Sequence, residues 1–258
     1  MDTVGPISRT VEDAAITLGA IAGYDPKDPF TWQDPVPDYR HALDGNLHGI
    51  RIGIVSEDLH HTLVEPQVRD AVVKATTVLS DLGATVEEIS LPLARHAGVI
   101  SGILLNVEAA ATHREWVRHR LHDYGHDNRI GLLMGSLLPA AAYYKAQQVR
   151  SLLRQQVLEA LEHWDVLITP TSGKPAQPIE DDPIITNKQQ TARLGFLLTR
   201  VFNLSNTPAI SVPCGLSADN LPIGMQIGGR PGGEATILRV AHAYEQCTPW
   251  HTMRPPAA

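Results

Sequence analysis

Cysteine and long hydrophobic runs are both scarce in this chain of 258 residues. Its two cysteines, Cys214 and Cys247, form no CxxC pair and cannot frame a disulfide scaffold of this size. We therefore expect free thiols in a reducing compartment. No apolar run approaches the ~20 residues of a membrane helix. The first residues also lack the basic flank and apolar core of a signal peptide. These absences predict a cytoplasmic protein without a membrane partner.

Basic residues and aromatic residues are also few. Lysine and arginine total 21 against 28 acidic residues, for a net charge of -7, and aromatic residues make up 5% of the chain. A nucleic-acid surface needs a dense basic stripe or a series of stacking aromatic rings. The densest basic group here is Arg114, Arg118 and Arg120. We therefore exclude a nucleic-acid partner. The 43% hydrophobic content is ordinary for a globular chain that buries a sizeable core.

The pattern of apolar residues predicts alternating strands and helices. Residues 51–55 and 85–89 are short apolar runs that flank an amphipathic segment, which starts at Pro66 and ends at Gly83. This order is typical of a βαβ unit. Further strands are predicted at 165–170, 203–215 and 221–229, and a final helix at 234–246. The sequence thus predicts an α/β fold with α/β/α layers and a mixed, largely parallel central sheet.

The remaining segments are mainly helical or irregular. Thr10 and Asp13 form a capping pattern for a helix that ends at Gly23. The proline-rich stretch 24–49 shows no periodicity and is interpreted as an irregular segment on the protein surface. Two long helices are predicted at 93–122 and 139–163, with a break near 127–135; a loop at 171–188 and a helix at 191–204 follow.

The sequence contains no G-x-S-x-G nucleophile motif and no Ser-Ser dipeptide. Ser172 lies two residues before Lys174, and a desolvated lysine can activate a serine hydroxyl. This pair follows a proline in a loop that we expect to be exposed, so a solvated turn is the favoured interpretation. An independent hydrolase built on Ser172 and Lys174 remains an alternative.

Histidines and glycines give two further candidate patterns. His119, His122 and His126 have the spacing of zinc ligands on a helix, but Tyr124 and Gly125 predict a helix end between them. The glycine-rich run 228–233 matches neither the dinucleotide fingerprint nor the phosphate-binding loop. We interpret the histidines as a solvated polar face and the glycines as a tight strand-to-helix connection. Neither a metal nor a cofactor is predicted.

Several blocks in one order resemble the carboxyl-terminal half of the amidase signature family. No single block is decisive, but their shared order is a strong signal, and together they span nearly all of the chain. The blocks are residues 2–6, 9–14, 23–29, 49–54, 145–150, 165–171, 203–215, 221–229 and 234–245. The resemblance implies a single partial amidase signature domain over residues 1–258, beginning in the middle of the family's domain.

Enzymes of this family cleave carboxamides through a Ser-Ser-Lys triad, with glycine-rich backbone N–H groups holding the oxyanion. By resemblance, those elements would precede residue 1, so no catalytic residue is assigned in this chain. The resemblance implies that Asn206, Pro208 and Ser211 approach the substrate pocket; the alternative is a strand start shaped only by packing. Arg129 precedes a predicted helix and is assigned either to a substrate carboxylate or to a surface ion pair.

The chain also resembles the A subunit of the glutamine-dependent transfer-RNA amidotransferase. That protein typically carries adjacent basic residues where Ile130 and Gly131 stand here, and an acidic residue where Phe196 or a neighbour stands. These departures favour a small-molecule amidase.

We therefore expect the carboxyl-terminal part of an amidase that hydrolyses a small carboxamide and is inactive alone. Its partners would be that substrate and a complementing amino-terminal chain, or a second copy in a homodimer. The alternatives are a non-catalytic scaffold or binding module and a subunit of the transfer-RNA amidotransferase. Unpaired strand edges would favour aggregation of the isolated chain.

Overall fold

A computed structural model describes residues 3–177 and 198–254 of the chain. The described residues form a five-stranded sheet with helices on both faces. The strands are β1 (Arg51–Val55), β2 (Thr85–Ile89), β3 (Val166–Pro170), β4 (Ala209–Leu216) and β5 (Pro222–Gly229). The helices are α1 (Val11–Ile21), α2 (Ser56–Leu59), α3 (Pro66–Asp81), α4 (Ala97–Thr112), α5 (Arg114–Arg120), α6 (His126–Leu137), α7 (Ala140–His163), α8 (Arg200–Ser205) and α9 (Glu234–Gln246).

The strand order across the sheet is β2-β1-β3-β5-β4. β1 pairs in parallel with both β2 and β3. β5 pairs antiparallel with both β3 and β4. The predicted βαβ unit and the predicted strand pair near the carboxyl terminus are both present, although β4 starts at Ala209 and residues 203–205 are helical. The mixed α/β fold class is confirmed.

Each face of the sheet has its own hydrophobic core. One face carries Ile52, Ile168 and Met225 against helices α1, α3 and α9. The opposite face carries Leu167 against α4, α7 and α8. Successive residues of a strand point to opposite faces, which is why Leu167 and Ile168 belong to different cores. Burying one such side chain contributes about 1.5–3 kcal/mol, so the sheet is stabilised from both sides.

Several local predictions are confirmed. The Thr10 hydroxyl accepts the backbone N–H of Asp13 at 3.1 Å and caps α1. Pro66 is the first residue of α3, and Gly83 follows the end of that helix with φ 99°. The last predicted helix coincides with α9.

Two other predictions are wrong in part. The predicted break at residues 127–135 lies inside α6, and the chain turns instead near Tyr124 and near Leu138. The stretch 24–49 is not only a surface excursion, because Tyr39 and Leu47 are buried in the core. Of the helix predicted at 191–204, only residues 198–204 lie inside the described ranges; there α8 begins at Arg200.

Helix α6 continues through two glycines because they allow α6 to approach α4 closely. A β-carbon on Gly135 would lie 1.9 Å from the backbone oxygen of Asn106, and one on Gly131 would lie 3.1 Å from the Asn106 Oδ1. These glycines therefore serve helix packing rather than helix termination.

A Gly135→Ala substitution should destabilise the protein by about 1–3 kcal/mol, because the added methyl group has no room beside Asn106. Gly102→Ala is the matched control, since its β-carbon would meet nothing within 4 Å on α4. The control should gain about 0.5–1 kcal/mol from helix propensity. Urea unfolding measures both, and equal effects would contradict this account of the packing.

None of the helices in residues 3–177 and 198–254 combines the length and apolar character that crossing a bilayer requires.

One buried carboxyl group stands out in the short helix α2. Asp58 is 2% exposed, and its Oδ2 has no hydrogen-bond partner among the described residues. Burial, with a smaller contribution from the neighbouring Glu57 carboxylate, raises the pKa of Asp58 from 3.8 to about 7. The folded protein therefore holds a proton at Asp58 that the unfolded chain releases at lower pH.

Stability should fall as pH rises between about 4 and 7, because the native state binds the Asp58 proton more tightly than the unfolded state does. The free energy of unfolding of Asp58→Asn should vary about 2–4 kcal/mol less over this pH range than that of the parent. The measurement is denaturant unfolding at pH 5 and pH 8. Asp34→Asn, at an exposed carboxyl, is the control, and its free energy of unfolding should change with pH as in the parent. The same pH dependence in Asp58→Asn would refute the role of the Asp58 proton.

Candidate functional site

A polar cluster lies across β3, β5 and β4, near the end of β3. In the sheet register Gln226 is opposite both Thr169 and Ser211, so the three side chains share one face. The Gln226 Nε2 donates to the Thr169 Oγ1 at 3.1 Å, and both side chains are buried. The Thr171 and Ser211 hydroxyls are hydrogen-bonded at 2.6 Å, and Ser211 is exposed. The cluster thus runs from the buried interior of the sheet to its surface.

Gly224 makes the contact between the two hydroxyls possible. A β-carbon at this position would lie 2.8 Å from the Thr171 Oγ1 and 3.1 Å from the Ser211 Oγ. The missing side chain leaves room for the hydroxyls to meet across β5. The backbone N–H of Thr171 also donates to the Gly224 carbonyl at 2.9 Å, which fixes the position of the threonine just beyond β3.

A cavity of about 320 Å³ opens beside this cluster. It has the size of a small-molecule site and shares Thr171 and Gly224 with the polar cluster. Most of the lining residues are apolar, and the polar ones are two hydroxyl residues and a lysine. The lining residues are Thr171, Ser172, Lys174, Pro175, Ala176, Pro222, Ile223 and Gly224.

Two arginines of α7 hold the turn between α8 and β4. The Arg150 Nε donates to the Leu204 carbonyl at 3.0 Å, and its Nη2 donates to the Asn206 Oδ1 at 2.8 Å. The Arg154 Nη1 donates to the Ser205 carbonyl. Asn206 adopts the left-handed conformation at φ 53° and ψ 50°, in which asparagine is enriched among residues other than glycine. The guanidinium groups satisfy carbonyls that the helix end would otherwise leave without donors.

Three of the four predicted substrate-binding residues lie on this segment. Asn206 uses its side-chain oxygen to bind Arg150, Pro208 accepts the Gly229 N–H at 3.0 Å, and Ser211 belongs to the polar cluster. Pro208 lies immediately before β4, which is the position expected if packing alone shapes the start of this strand. A contact of any of the three with substrate stays a prediction.

The fourth predicted residue, Arg129, lies on a different element. It is inside α6 rather than before a helix, and α6 packs against α4. Arg129 is half-buried, and within the described ranges its Nε has no hydrogen-bond partner and the side chain forms no ion pair with a carboxylate. The structure therefore places Asn206, Pro208 and Ser211 along the stretch from the end of α8 into β4, each with a different partner. Arg129 lies on a separate helix, and its Nε has no partner among the described residues.

The geometry argues against a hydrolase built on Ser172 and Lys174. The Ser172 Oγ donates to the Lys174 carbonyl at 2.6 Å and accepts the Lys174 backbone N–H at 3.2 Å. The Lys174 Nζ lies 4.0 Å from the Glu65 carboxylate instead. The serine hydroxyl thus stabilises a turn, and the lysine amine pairs with an acid.

The three histidines with zinc-like spacing are separated by the fold. His119 lies in α5, His122 in the following single turn, and His126 at the start of α6. Within 3–177 and 198–254, no group of three or more histidine, cysteine and acidic side chains is placed to hold a metal ion.

The two thiols differ in their surroundings. Cys214 is buried on β4, and burial raises the pKa of its thiol to about 12. The thiolate is the reactive form, so Cys214 is not a nucleophile near neutral pH. Cys247 is exposed.

Residues 1–238 match the sequence model of the Amidase family. The chain therefore belongs to the amidase family. It is 37% identical to the A subunit of glutamyl-tRNA(Gln) amidotransferase from Thermosynechococcus vestitus, over 99% of this chain and 57% of that protein. It is 38% identical to the same subunit of Geobacillus stearothermophilus, over 99% of this chain and 56% of that protein. The chain thus spans about half the length of the curated relatives it matches.

Solved structures show the same fold. The A subunit of glutamyl-tRNA(Gln) amidotransferase from Thermotoga maritima superposes with a TM-score of 0.77 at 29% identity, over 98% of this chain and 55% of that one. A bacterial aryl acylamidase of the amidase signature family superposes with a TM-score of 0.83 at 24% identity, over 96% of this chain and 53% of that one. At this identity the aryl acylamidase informs the fold alone.

Sequence reasoning missed Thr169, Thr171, Gln226 and Arg150 as parts of the site. The alternation of strand side chains offered a signal for two of them, because residues 169 and 171 have the same parity along the chain. The position of Gln226 opposite Thr169 is set by strand register. Arg150 was part of a matched block, but nothing in its spacing indicates a contact with residues 204 and 206.

Arg150→Ala should destabilise the protein by about 1–3 kcal/mol, because it removes two charge-assisted hydrogen bonds from the end of α8. Amide exchange at residues 206–211 should accelerate at the same time. Arg118→Ala is the control, since Arg118 is exposed and pairs only with Glu115 at 3.1 Å among the described residues, which is worth about 0–1 kcal/mol. Equal losses in the two variants would show that the hydrogen bonds of Arg150 stabilise the protein no more than an exposed ion pair does.

Proposed function

We propose that this chain is the carboxyl-terminal part of an amidase that hydrolyses the carbon–nitrogen bond of a small carboxamide. One observation carries the proposal: a cluster of hydroxyl and amide side chains adjoins a small-molecule cavity, and the part of the cluster that the structure describes contains no nucleophile paired with a base. The hydroxyls of Thr171 and Ser211 bond to each other, and Gln226 bonds to Thr169. Such a cluster can bind and orient a substrate amide but cannot attack it.

In the proposed reaction the attacking groups come from a complementing polypeptide. By family resemblance, a serine oxygen adds to the substrate carbonyl carbon while a lysine accepts its proton through a second serine. The carbon–nitrogen bond breaks as the nitrogen takes up a proton, and water then releases the carboxylic acid and restores the serine. This chain's hydroxyls would hydrogen-bond the substrate amide.

The isolated chain is therefore proposed to be inactive. The arrangement of Ser172 and Lys174 supports this, because neither group is placed to activate the other. Positioned nucleophiles and bases account for a large part of the rate enhancement in serine hydrolases. Without them, a substrate-binding wall alone gives little acceleration.

A second candidate is the A subunit of a glutamine-dependent transfer-RNA amidotransferase. Its support is the 37–38% identity to such subunits over 99% of the chain. In that case the substrate carboxamide would be that of glutamine, and Arg129 suits its carboxylate. The position of Phe196, which the resemblance sets against an acidic residue, lies outside the described residues. A non-catalytic scaffold is the remaining alternative from another functional class.

The test is reconstitution. The chain would be co-expressed with the amino-terminal part of the Thermosynechococcus vestitus subunit, which the family resemblance places upstream of this match. Release of ammonia would then be measured from benzamide and from glutamine. We expect turnover of benzamide only when both polypeptides are present. Turnover of glutamine alone would favour the second candidate, and no turnover of either would favour the scaffold.

Variants of the polar cluster sharpen the test. Ser211→Ala and Thr171→Val should each lower kcat/KM about 10-fold, the effect of losing roughly one hydrogen bond to the reacting amide. Ser151→Ala, on an exposed position of α7, is the control and should leave turnover unchanged. Full activity in both cluster variants would place the substrate elsewhere.

A further inference from the structure

The cavity beside the polar cluster has a single charged residue in its described wall. Within the part of the chain that the structure describes, Lys174 is the one cation of the lining, and no acidic residue lines the cavity. The rest of the wall is mostly apolar and includes Pro222 and Ile223. A cation beside apolar walls attracts anions more strongly than one in open water. The wall therefore favours a ligand that is apolar in part and negatively charged at one group.

The backbone of Lys174 is held in place from two sides. The Ser172 Oγ donates to the Lys174 carbonyl and accepts its backbone N–H, at 2.6 and 3.2 Å. From the other side, the Glu65 backbone N–H donates to the Gly173 carbonyl at 2.9 Å. A β-carbon on Gly173 would lie 2.5 Å from the backbone oxygen of Leu63, so the segment before α3 packs directly against this turn. The lysine is thus attached at a fixed point of the cavity wall.

The contact that the Lys174 amine makes with protein is weak. Its Nζ lies 4.0 Å from the Glu65 Oε1, which is longer than a hydrogen bond. The other oxygen of Glu65 accepts the Gln67 Nε2 at 2.8 Å. The side chains of Lys174 and Glu65 are 38% and 37% exposed, and exposed pairs contribute little net free energy. A ligand carboxylate at hydrogen-bond distance would therefore replace a weak contact with a stronger one.

Arg129, which the sequence suggested as a partner for a substrate carboxylate, lies elsewhere. It is inside α6 and is not one of the described residues that line the cavity. Lys174, in contrast, shares the cavity with Thr171, whose hydroxyl belongs to the polar cluster. The described cavity thus offers a lysine, and not this arginine, to an anionic group.

From these observations we infer that Lys174 is a specificity-determining residue, and that the substrate is a carboxamide with a carboxylate on a small apolar body. The Thr171 hydroxyl would hydrogen-bond the amide, the wall around Ile223 would contact the body, and the Lys174 amine would bind the carboxylate. Ser172 would be a positioning residue that acts through Lys174. The inference rests on the proposed function and adds the class of substrate.

The experiment measures binding to the full chain and requires no turnover. The probes are benzamide, para-carbamoylbenzoate and para-(aminomethyl)benzamide, which share a carboxamide on a ring and differ in charge. Titration calorimetry at low salt gives their dissociation constants. We expect para-carbamoylbenzoate to bind about 10-fold more tightly than benzamide, the effect of one hydrogen bond to a charged group. The cationic probe should bind more weakly than benzamide. Equal affinities, or no binding of any probe, would overturn the inference.

Matched variants identify the cation that binds the carboxylate. Lys174→Met should weaken binding of para-carbamoylbenzoate about 10-fold and leave that of benzamide within about 2-fold. Lys74→Met, at an exposed position of α3, is the control and should leave both affinities unchanged. Each variant should unfold in urea like the parent, which separates lost binding from lost folding. If Arg129→Met removes the preference for the anion and Lys174→Met does not, the inference is wrong.

The two neighbours of Lys174 give effects that general destabilisation would not. Glu65→Gln removes the competing carboxylate, so para-carbamoylbenzoate should bind about 3-fold more tightly while benzamide binds as before. Ser172→Ala should weaken binding of the anionic probe, and Ser172→Thr, which keeps a hydroxyl, should restore it. High salt should reduce the preference for the anion, because the amine is partly exposed. Weaker binding of the anionic probe by Glu65→Gln would contradict the assigned role of Lys174.

The outcomes also separate this inference from the proposed function. A preference for the anion that depends on Lys174, without amide hydrolysis by the reconstituted pair of polypeptides, would keep the anion site and refute the enzyme. Hydrolysis of benzamide and para-carbamoylbenzoate with the same kcat/KM would keep the enzyme and overturn the stated substrate class.

Discussion

The antiparallel pairing of β3 with β5 holds the described part of the molecule together. On one side of this pair lies the parallel unit of β1, α3 and β2, and on the other lies β4. Every residue of β3 is buried, and its register runs from Val166 opposite Gly229 to Pro170 opposite Met225. Because both faces of this strand contact helices, its pairing sets the position of both hydrophobic cores.

The same pairing builds the candidate site. Side chains at matched positions of adjacent strands share a face, so Thr169, Gln226 and Ser211 form one polar row across three strands. Thr171 continues this row just past β3, over the space that Gly224 leaves open. Hydrogen bonds from Arg150 and Arg154 of α7 hold the turn that leads into β4. The Ser211 hydroxyl is thereby placed by a strand, and the Thr171 hydroxyl by the first position after one.

Much of the fold followed from local patterns. The βαβ unit, the capped first helix, the final helix and the strand pair near the carboxyl terminus all depend on periodicity and on capping residues close in sequence, such as Thr10 and Pro66. The failures have a different physical origin. Gly131 and Gly135 look like helix breakers locally, but contact with Asn106 of α4 makes glycine the residue that fits there. Tyr39 and Leu47 are buried because distant helices cover an irregular stretch.

The sequence by itself determined the family, the mixed α/β class and the absence of a recognisable nucleophile motif, since these depend on residue order and on short-range patterns. Only the tertiary structure decided which side chains meet. Thr171 and Ser211 are 40 residues apart, and Arg150 and Asn206 are 56 apart. Neither spacing carries a local signal, because contacts of this range arise from strand register and helix packing.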